Sequence, residues 1–342
     1  MRDLKYSSNS LYYSYPTKLI ETHMNDKKYP VDIEKANRTV NNIKKYSDQI
    51  GGFAGEFEMS SLGNEFKLVA SVDGIGTKIL TAQYAQRKYQ RSVSSLGVDC
   101  VAMVVNDLLC KGAVPLFFLD YYATPKLEEY TFYQILDGIH TGCEDSGMKL
   151  LGGETAELNG VIEQGTFDVC GFGIGKITKE LPKNVQKGDV IIGLFSSGIH
   201  SNGFSLINEM DLDRYDEQFI DTLLTPTKIY VNEVNMLHEY CDIHALAHIT
   251  GGGFTNINRV VPDNLTVKIY ADTLQGRIQT YMESDGYFSH NDLFKTIQTD
   301  CNVKYEEMRT VFNCGVGMVV IMDYASVKNI PGHNYIILGE LV

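Results

Sequence analysis

The hexapeptide Asp73-Gly74-Ile75-Gly76-Thr77-Lys78 carries the densest set of groups suited to phosphate chemistry in this chain. A carboxylate at a strand end can hold Mg²⁺, and two glycines let backbone N–H groups approach a phosphate closely. Thr77 adds a hydroxyl and Lys78 a charge; the same residues also suit a tight solvent turn. Downstream, Asp99 and Asp107 lie eight positions apart, about two helical turns, and so nearly on one face. Both flank or fall within the apolar run CVAMVVNDLLC, where an unpaired charge is costly. Asn106 beside Asp107 extends this into a polar, ligand-facing stripe. The plainer alternative is a pair of carboxylates on the solvent side of the helix.

Further candidates sit beside glycines. Glu154 follows Gly152-Gly153, in a stretch that also reads as a solvated loop. His200 lies in Ser196–Gly203 (SSGIHSNG), rich in donors and placed to open a helix, which suits an anion. His248 precedes Thr250 and Gly251-Gly252-Gly253, a second candidate cradle; a lone His is more often structural, but two beside glycine loops are suggestive. Gly51-Gly52-Phe53-Ala54-Gly55 forms another glycine loop, and Lys44 sits one step past the apolar stripe of the first helix, where it reads as solvated. Neither G-x-x-x-x-G-K-[ST] nor G-x-G-x-x-G occurs: Gly171, Gly173 and Gly175 recur with the period of a strand. A nucleotide would need a different cradle.

The elements that must position these groups follow from periodicity. Residues 1–30 read as an extended arm. Asp32 can cap a helix running to about Tyr46, with Ala36, Val40 and Ile43 on its buried face. Phe66, Leu68, Ala70 and Val72 alternate as a strand that ends at Asp73. Helices are predicted over Ser95–Lys111, closed by Gly112, and around Phe132–Cys143, ended by Gly147. Strands are expected at Leu116–Tyr122, Met148–Leu151, Phe167–Ile177, Asp189–Phe195, Leu265–Tyr270 and Val316–Ile321. Thr225-Pro226 looks like a helix start, with Ile229, Val234 and Leu237 as its buried stripe. Strands and helices mix without strict alternation, which favours α+β over a doubly wound sheet. The polar stretch Thr178–Gly188 is the expected boundary between domains 1–178 and 188–342.

Composition bounds the partners. A chain of 342 residues is long enough for two domains. Lys and Arg number 30 against 43 Asp and Glu, a net charge of −13 that repels phosphate backbones and acidic membranes. Neither nucleic acid nor membrane is therefore an expected partner, and an anionic small substrate would need local neutralisation. The seven Cys are odd in number and contain no C-x-x-C pair, pointing to a reducing compartment. No apolar run approaches the ~18 residues of a membrane span, and the first residues lack a leader's apolar core, so the cytoplasm is expected.

Taken together, DGIGTK (73–78), GVDCVAMVVNDLLCKGAVPLFFLDYYAT (97–124), LLGGETAEL (150–158), SSGIHSNG (196–203) and HITGGG (248–253) resemble, in order, the motifs of the phosphoribosylformylglycinamidine cyclo-ligases, also called AIR synthetases. The resemblance spans Val31 to Met318. It implies ATP-dependent ring closure in purine biosynthesis: formylglycinamidine ribonucleotide, activated at its formyl amide oxygen by the γ-phosphate, closes to aminoimidazole ribonucleotide with release of ADP and phosphate. It implies a two-domain PurM-like fold of mixed α+β and α/β character, an N-terminal sheet forming a dimer barrel, an α/β C-terminal domain, and a homodimer. By position, Asp73 and Asp107 resemble the family's Mg-ATP carboxylates, Lys44 a lysine beside the nucleotide, and Gly51–Gly55 its glycine loop. His200 and His248 resemble histidines near the substrate, with Glu154 close by. The expectation thus places Asp107, His200, His248 and Lys44 in the catalytic group, with Mg²⁺ on Asp73 and Asp107. Around ATP it places Gly51, Gly52, Asp73, Gly74, Gly76, Thr77, Lys78, Asp99, Asn106 and Glu154.

Two departures fall on the substrate side. Tyr29–Asn37 differs from the family's usual AGVDI-x-AG, and Phe254–Arg259 lacks the usual Glu and Pro. Selenophosphate synthetase, thiamine-monophosphate kinase and hydrogenase-maturation proteins share the DG-x-GTK-like core. The LDYYAT, GGETAE and SSGIHSNG strings favour the cyclo-ligase over them, and over a nucleotide-binding protein without turnover.

Overall fold

The computed structural model describes residues 12–15, 33–47, 52–60, 63, 65–270, 290–332 and 334–342. Two sheets organise it. The first joins β2 (Gly55–Glu58), β3 (Lys67–Gly74), β4 (Ala113–Thr124), β5 (Lys149–Glu157) and β6 (Asp168–Ile177) in the order β2-β3-β6-β4-β5. Only β4 and β5 run parallel. The second joins β1 (Tyr12–Tyr15), β7 (Val190–Phe195), β8 (Ile243–His248), β9 (Val267–Tyr270), β10 (Val316–Met322) and β11 (Tyr335–Leu341), all antiparallel, in the order β1-β9-β11-β7-β10-β8. This is the mixed α+β architecture that the pattern predicted. Strand β1 lies at the edge of the second sheet, so the N-terminal arm crosses to the second half of the chain.

Helix α1 (Ile33–Ile43) leads into a short 3-10 turn, Lys44–Tyr46; Asp32, its expected cap, lies outside the described residues. Ile43, predicted to be buried, is 39% exposed, and Val40 is only half-buried. After α2 (Lys78–Tyr89), the apolar helix α3 (Ser94–Leu109) and α4 (Glu129–Ser146) cover one face of the first sheet. The alternating glycines of β6 make this close approach possible: a Cβ at Gly173 would lie 2.4 Å from Val104. Helices α3 and α4 touch through Gly97 and Gly138, where added Cβ atoms would strike the facing backbone.

The opposite face of the first sheet is apolar and carries no helix among the described residues. Cross-strand register aligns Val72, Phe172 and Leu119 in one row and Ala70, Ile174 and Phe117 in the next. Val72 is 56% exposed and Phe172 40%, while the core side of β3 is carried by Val69 and Ser71. The alternation read from Leu68, Ala70 and Val72 therefore marks the outer face.

In the second half, α5 (Phe204–Ile207), α6 (Glu217–Leu223), α7 (Val231–Tyr240), α8 (His290–Asp300), α9 (Tyr305–Val311) and α10 (Tyr324–Val327) accompany the all-buried strands β7, β8 and β10. The predicted helix start at Thr225-Pro226 is displaced: α7 begins at Val231, with Val234 and Leu237 on its buried side. Residues 225–230 are instead an irregular segment wedged between the two halves.

Candidate active site

Helix α3 is the axis of the site, because its polar stripe crosses to the second domain. Asn106, fully buried, accepts from the Tyr230 N–H through Oδ1 (3.1 Å) and donates through Nδ2 to the Lys228 carbonyl (2.8 Å). These two bonds fix which end of the amide faces where, and Nδ2 lies 3.4 Å from Nε2 of His248. That nitrogen must accept, so the His248 proton belongs on Nδ1, which donates to Asp107 Oδ1 at 2.9 Å. His248, at the end of β8, is completely buried while the Asp107 side chain keeps 16% exposure. Both imidazole nitrogens are thus engaged in aiming a carboxylate whose other oxygen receives no donor among the described residues.

Asp73, at the end of β3, faces the same point. Its Oδ1 accepts from the Gly74 N–H at 2.8 Å. Burial, followed by the charge of Asp107, pushes its carboxyl up to about 6, while the Gly74 N–H, His248 and Arg259 oppose the rise. Two carboxylates that repel one another beside a polar stripe could seat a cation. Among the described residues no group of three His, Cys, Asp or Glu could hold a metal. The set fits Mg²⁺, which takes one or two carboxylates and fills its octahedron with water and phosphate oxygens.

The Asp73 shift has a defined sign. An acid whose folded pKa is raised loses stability as pH climbs from its unfolded value of 3.8 to about 6, because the folded state must then ionise a buried group. Asp73→Asn is therefore expected to raise the melting temperature at pH 8 without divalent cations. In the same variant the Mg²⁺-dependent rise seen in the wild type should disappear. Differential scanning fluorimetry with and without Mg²⁺ at pH 5 and pH 8 checks both; wild-type protection by Mg²⁺ should be weaker at pH 5.

The two halves of the chain match the models for the AIR synthase related proteins, the N-terminal domain over residues 56–177 and the C-terminal domain over 186–329. A phosphoribosylformylglycinamidine cyclo-ligase of Thermoanaerobacter sp. (strain X514) is 39% identical, covering 93% of this chain and 98% of that protein. One from Nitrosococcus oceani is 40% identical, covering 87% and 84%. The chain belongs to the phosphoribosylformylglycinamidine cyclo-ligase family. Solved structures with the same fold include AaThiL complexed with AMPPCP and TMP, at TM-score 0.62, 16% identity and 92% and 93% coverage. Hydrogenase maturation protein HypE in complex with ATP follows at TM-score 0.52, 15% identity and 80% and 76% coverage. At such identities these show the fold alone.

Within this cyclo-ligase fold the other expected site residues divide. Gly74 contributes its N–H to Asp73, and Gly76 turns the chain with φ +60° into α2. Thr77 touches Ser205 through its hydroxyl (3.3 Å), and its carbonyl accepts from Asn208 (2.9 Å). Lys78, expected to offer its charge to a phosphate, is instead sealed: its Nζ lies 2.8 Å from Asp99 Oδ2 and donates to the Thr225 carbonyl at 2.9 Å. Neither side chain of this pair has any exposure. Asp99 likewise faces away from the Asp73–Asp107 point, its Oδ1 accepting from both the N–H and the hydroxyl of Thr227 at 2.6 Å. Lys78 and Asp99 therefore tie the domains together rather than contact a nucleotide, because a fully buried pair has no face left for one.

His200 adopts φ +61° and is 1% exposed. Its Nε2 accepts from the Ser197 N–H at 3.3 Å and lies 3.5 Å from the Lys228 N–H, so this histidine braces the SSGIHSNG loop against the same 225–230 segment. Glu154 is exposed on β5, opposite Tyr121, at the far edge of the sheet from β3 and not in a loop. Two strands, β6 and β4, separate it from Asp73. Lys44 is exposed on its 3-10 turn with no hydrogen bond to the cluster among the described residues; Gly52 is exposed, and Gly51 lies outside the described residues. Residues that sequence reasoning missed are Thr227, which donates to Asp99, Tyr230, whose N–H donates to Asn106, and Lys228, whose carbonyl accepts from Asn106. The Thr-Pro dipeptide marked the spot but was read as a helix cap.

Proposed function

We propose that the protein catalyses the ATP-dependent closure of formylglycinamidine ribonucleotide to 5-aminoimidazole ribonucleotide, releasing ADP and phosphate, with Asp73 and Asp107 as its Mg-ATP seat. The observation that carries this reading is the Asn106–His248–Asp107 relay, which aims one carboxylate at the point where the Asp73 carboxyl is raised by burial and then by the charge of Asp107. Family membership supplies the substrate class.

In this reading the formyl amide oxygen attacks the γ-phosphorus, ADP leaves, the amidine nitrogen attacks the activated carbon, and phosphate departs with the amide oxygen. Such transfers are governed by positioning and charge neutralisation. Mg²⁺, when bound, neutralises charge on the phosphate oxygens. Asp107 and Asp73 supply the carboxylates, and His248, donating from Nδ1, keeps Asp107 turned toward them. Asn106 holds that tautomer. Lys78 and Asp99 keep the 225–230 segment in place, and through it the His200 loop. Activity is tested by ADP release at steady state. Release that requires the ribonucleotide supports the proposal, and release that requires a different acceptor contradicts it.

The uncovered face of the first sheet supports a homodimer. Val72, Phe172, Leu119, Phe57 (58% exposed) and Leu151 (60% exposed) form an apolar surface that two copies can bury face to face. Phe172→Glu is expected to halve the mass measured by light scattering and to leave each chain folded. All seven cysteines are free thiols, which supports a reducing, cytoplasmic setting. No helix among the described residues is long and apolar enough to cross a membrane. The gap between the matched models, residues 178–185, supports the domain division near Thr178–Gly188.

A further inference from the structure

Arg259 closes the 3-10 helix Gly253–Arg259, which follows the triple glycine after His248. Its side chain is exposed, and among the described residues it forms no hydrogen bond and no ion pair. Its guanidinium carbon lies 5.1 Å from the ring centroid of Phe53, joining the C-terminal domain to the Gly52–Gly55 stretch. Phe53 is itself 7% exposed, so the ring is a fixed platform. A guanidinium held over a ring by its charge keeps N–H groups available for a planar pair of oxyanions. The same 3-10 helix follows β8, whose last residue, His248, holds Asp107.

We propose that Arg259 is a phosphate-binding residue of this site, presenting a guanidinium seated over Phe53 to a phosphoryl group held between the Gly52–Gly55 stretch and the Asp73–Asp107 pair. The inference rests on the reading of Asp73 and Asp107 as the phosphoryl-transfer site. The phosphoryl group has two sources with the same chemistry, the triphosphate of ATP and the phosphate ester of the ribonucleotide. With Lys78 sealed against Asp99, Arg259 supplies the mobile positive charge that the DGIGTK motif does not.

The test measures kcat/KM for ATP and for formylglycinamidine ribonucleotide separately, in wild type, Arg259→Ala, Arg259→Lys and Phe53→Leu. Arg259→Ala is expected to lower kcat/KM for one of the two by about 10–100-fold, the range for a lost hydrogen bond to a charged group. The affected substrate identifies the source of the phosphoryl group. Arg259→Lys, which keeps the charge but loses the fork, and Phe53→Leu, which removes the platform, should each give a smaller loss in the same parameter. Should Arg259→Ala fail to fold, these two variants carry the test. Values within twofold of wild type for both substrates in the folded variants overturn the proposal. Asp107→Asn, assayed in parallel, separates the two levels: an active Asp107→Asn removes the underlying reading, whereas an inactive one beside a normal Arg259→Ala removes only Arg259.

Discussion

Asp107→Asn is expected to lower ADP formation by at least 10²–10³-fold, the typical loss when a preorganised group at a charge-developing site is removed. The geometry explains why one oxygen matters so much. Asp107 Oδ1 is held by His248 Nδ1 at 2.9 Å, and an Asn carbonyl at the same place still accepts that bond. The fold is therefore retained, and the loss falls on the second oxygen and the negative charge. Asp107→Ala should be equally inactive and somewhat less stable, since the buried His248 then loses its acceptor. The measurements are ADP release per mole of folded protein and the melting temperature of each variant. Near-normal turnover in folded Asp107→Asn would remove this residue from the chemistry.

The second large effect is on stability. Lys78→Met leaves Asp99 as an uncompensated charge in a position with no exposure, a situation that costs about 3–5 kcal/mol. The double variant Lys78→Met with Asp99→Leu removes the stranded charge, and it is expected to regain part of that loss. It cannot restore the bonds that the N–H and hydroxyl of Thr227 donate to Asp99 Oδ1, nor the one that Lys78 Nζ donates to the Thr225 carbonyl. Segment 225–230 then loses its anchor, and with it the Lys228 and Tyr230 groups that orient Asn106. The expected pattern in urea unfolding and steady-state assays is recovered stability with kcat still depressed. Recovery of both would reduce the pair to a fold-stabilising element; recovery of neither would mean that the Thr227 bonds dominate the stability.

How much of this was legible in the residues differs from motif to motif. Asp73 and Asp107 stand out as candidates in the sequence because a carboxylate at a strand-end glycine turn, or inside an apolar helix, is costly without a partner or a ligand. Lys78 was not, because a lysine's partner cannot be inferred when it lies 147 positions away at Thr225. Thr225-Pro226 has the composition of a helix cap, but the backbone of this segment is bonded by Lys78, Asp99, Asn106 and Ser197 from elsewhere. Those bonds replace the intrahelical ones, and α7 starts only at Val231. GGETAE looked like a loop because of its glycines. It is the second half of β5, paired in parallel with β4, and a Cβ at Gly153 would lie 2.3 Å from the Asp120 carboxylate. The apolar alternation of β3 gave a strand correctly but not which side is covered, since the core face and the outer face of this sheet are both apolar.

The central claim is that the formyl amide oxygen of the ribonucleotide is phosphorylated at the Asp73–Asp107 site before the ring closes. Formylglycinamidine ribonucleotide labelled with ¹⁸O at that oxygen tests it most directly, with the released phosphate analysed by mass spectrometry. The account requires one ¹⁸O in each phosphate formed by the wild-type protein. Unlabelled phosphate, with the label lost to water while aminoimidazole ribonucleotide is still produced, would contradict it.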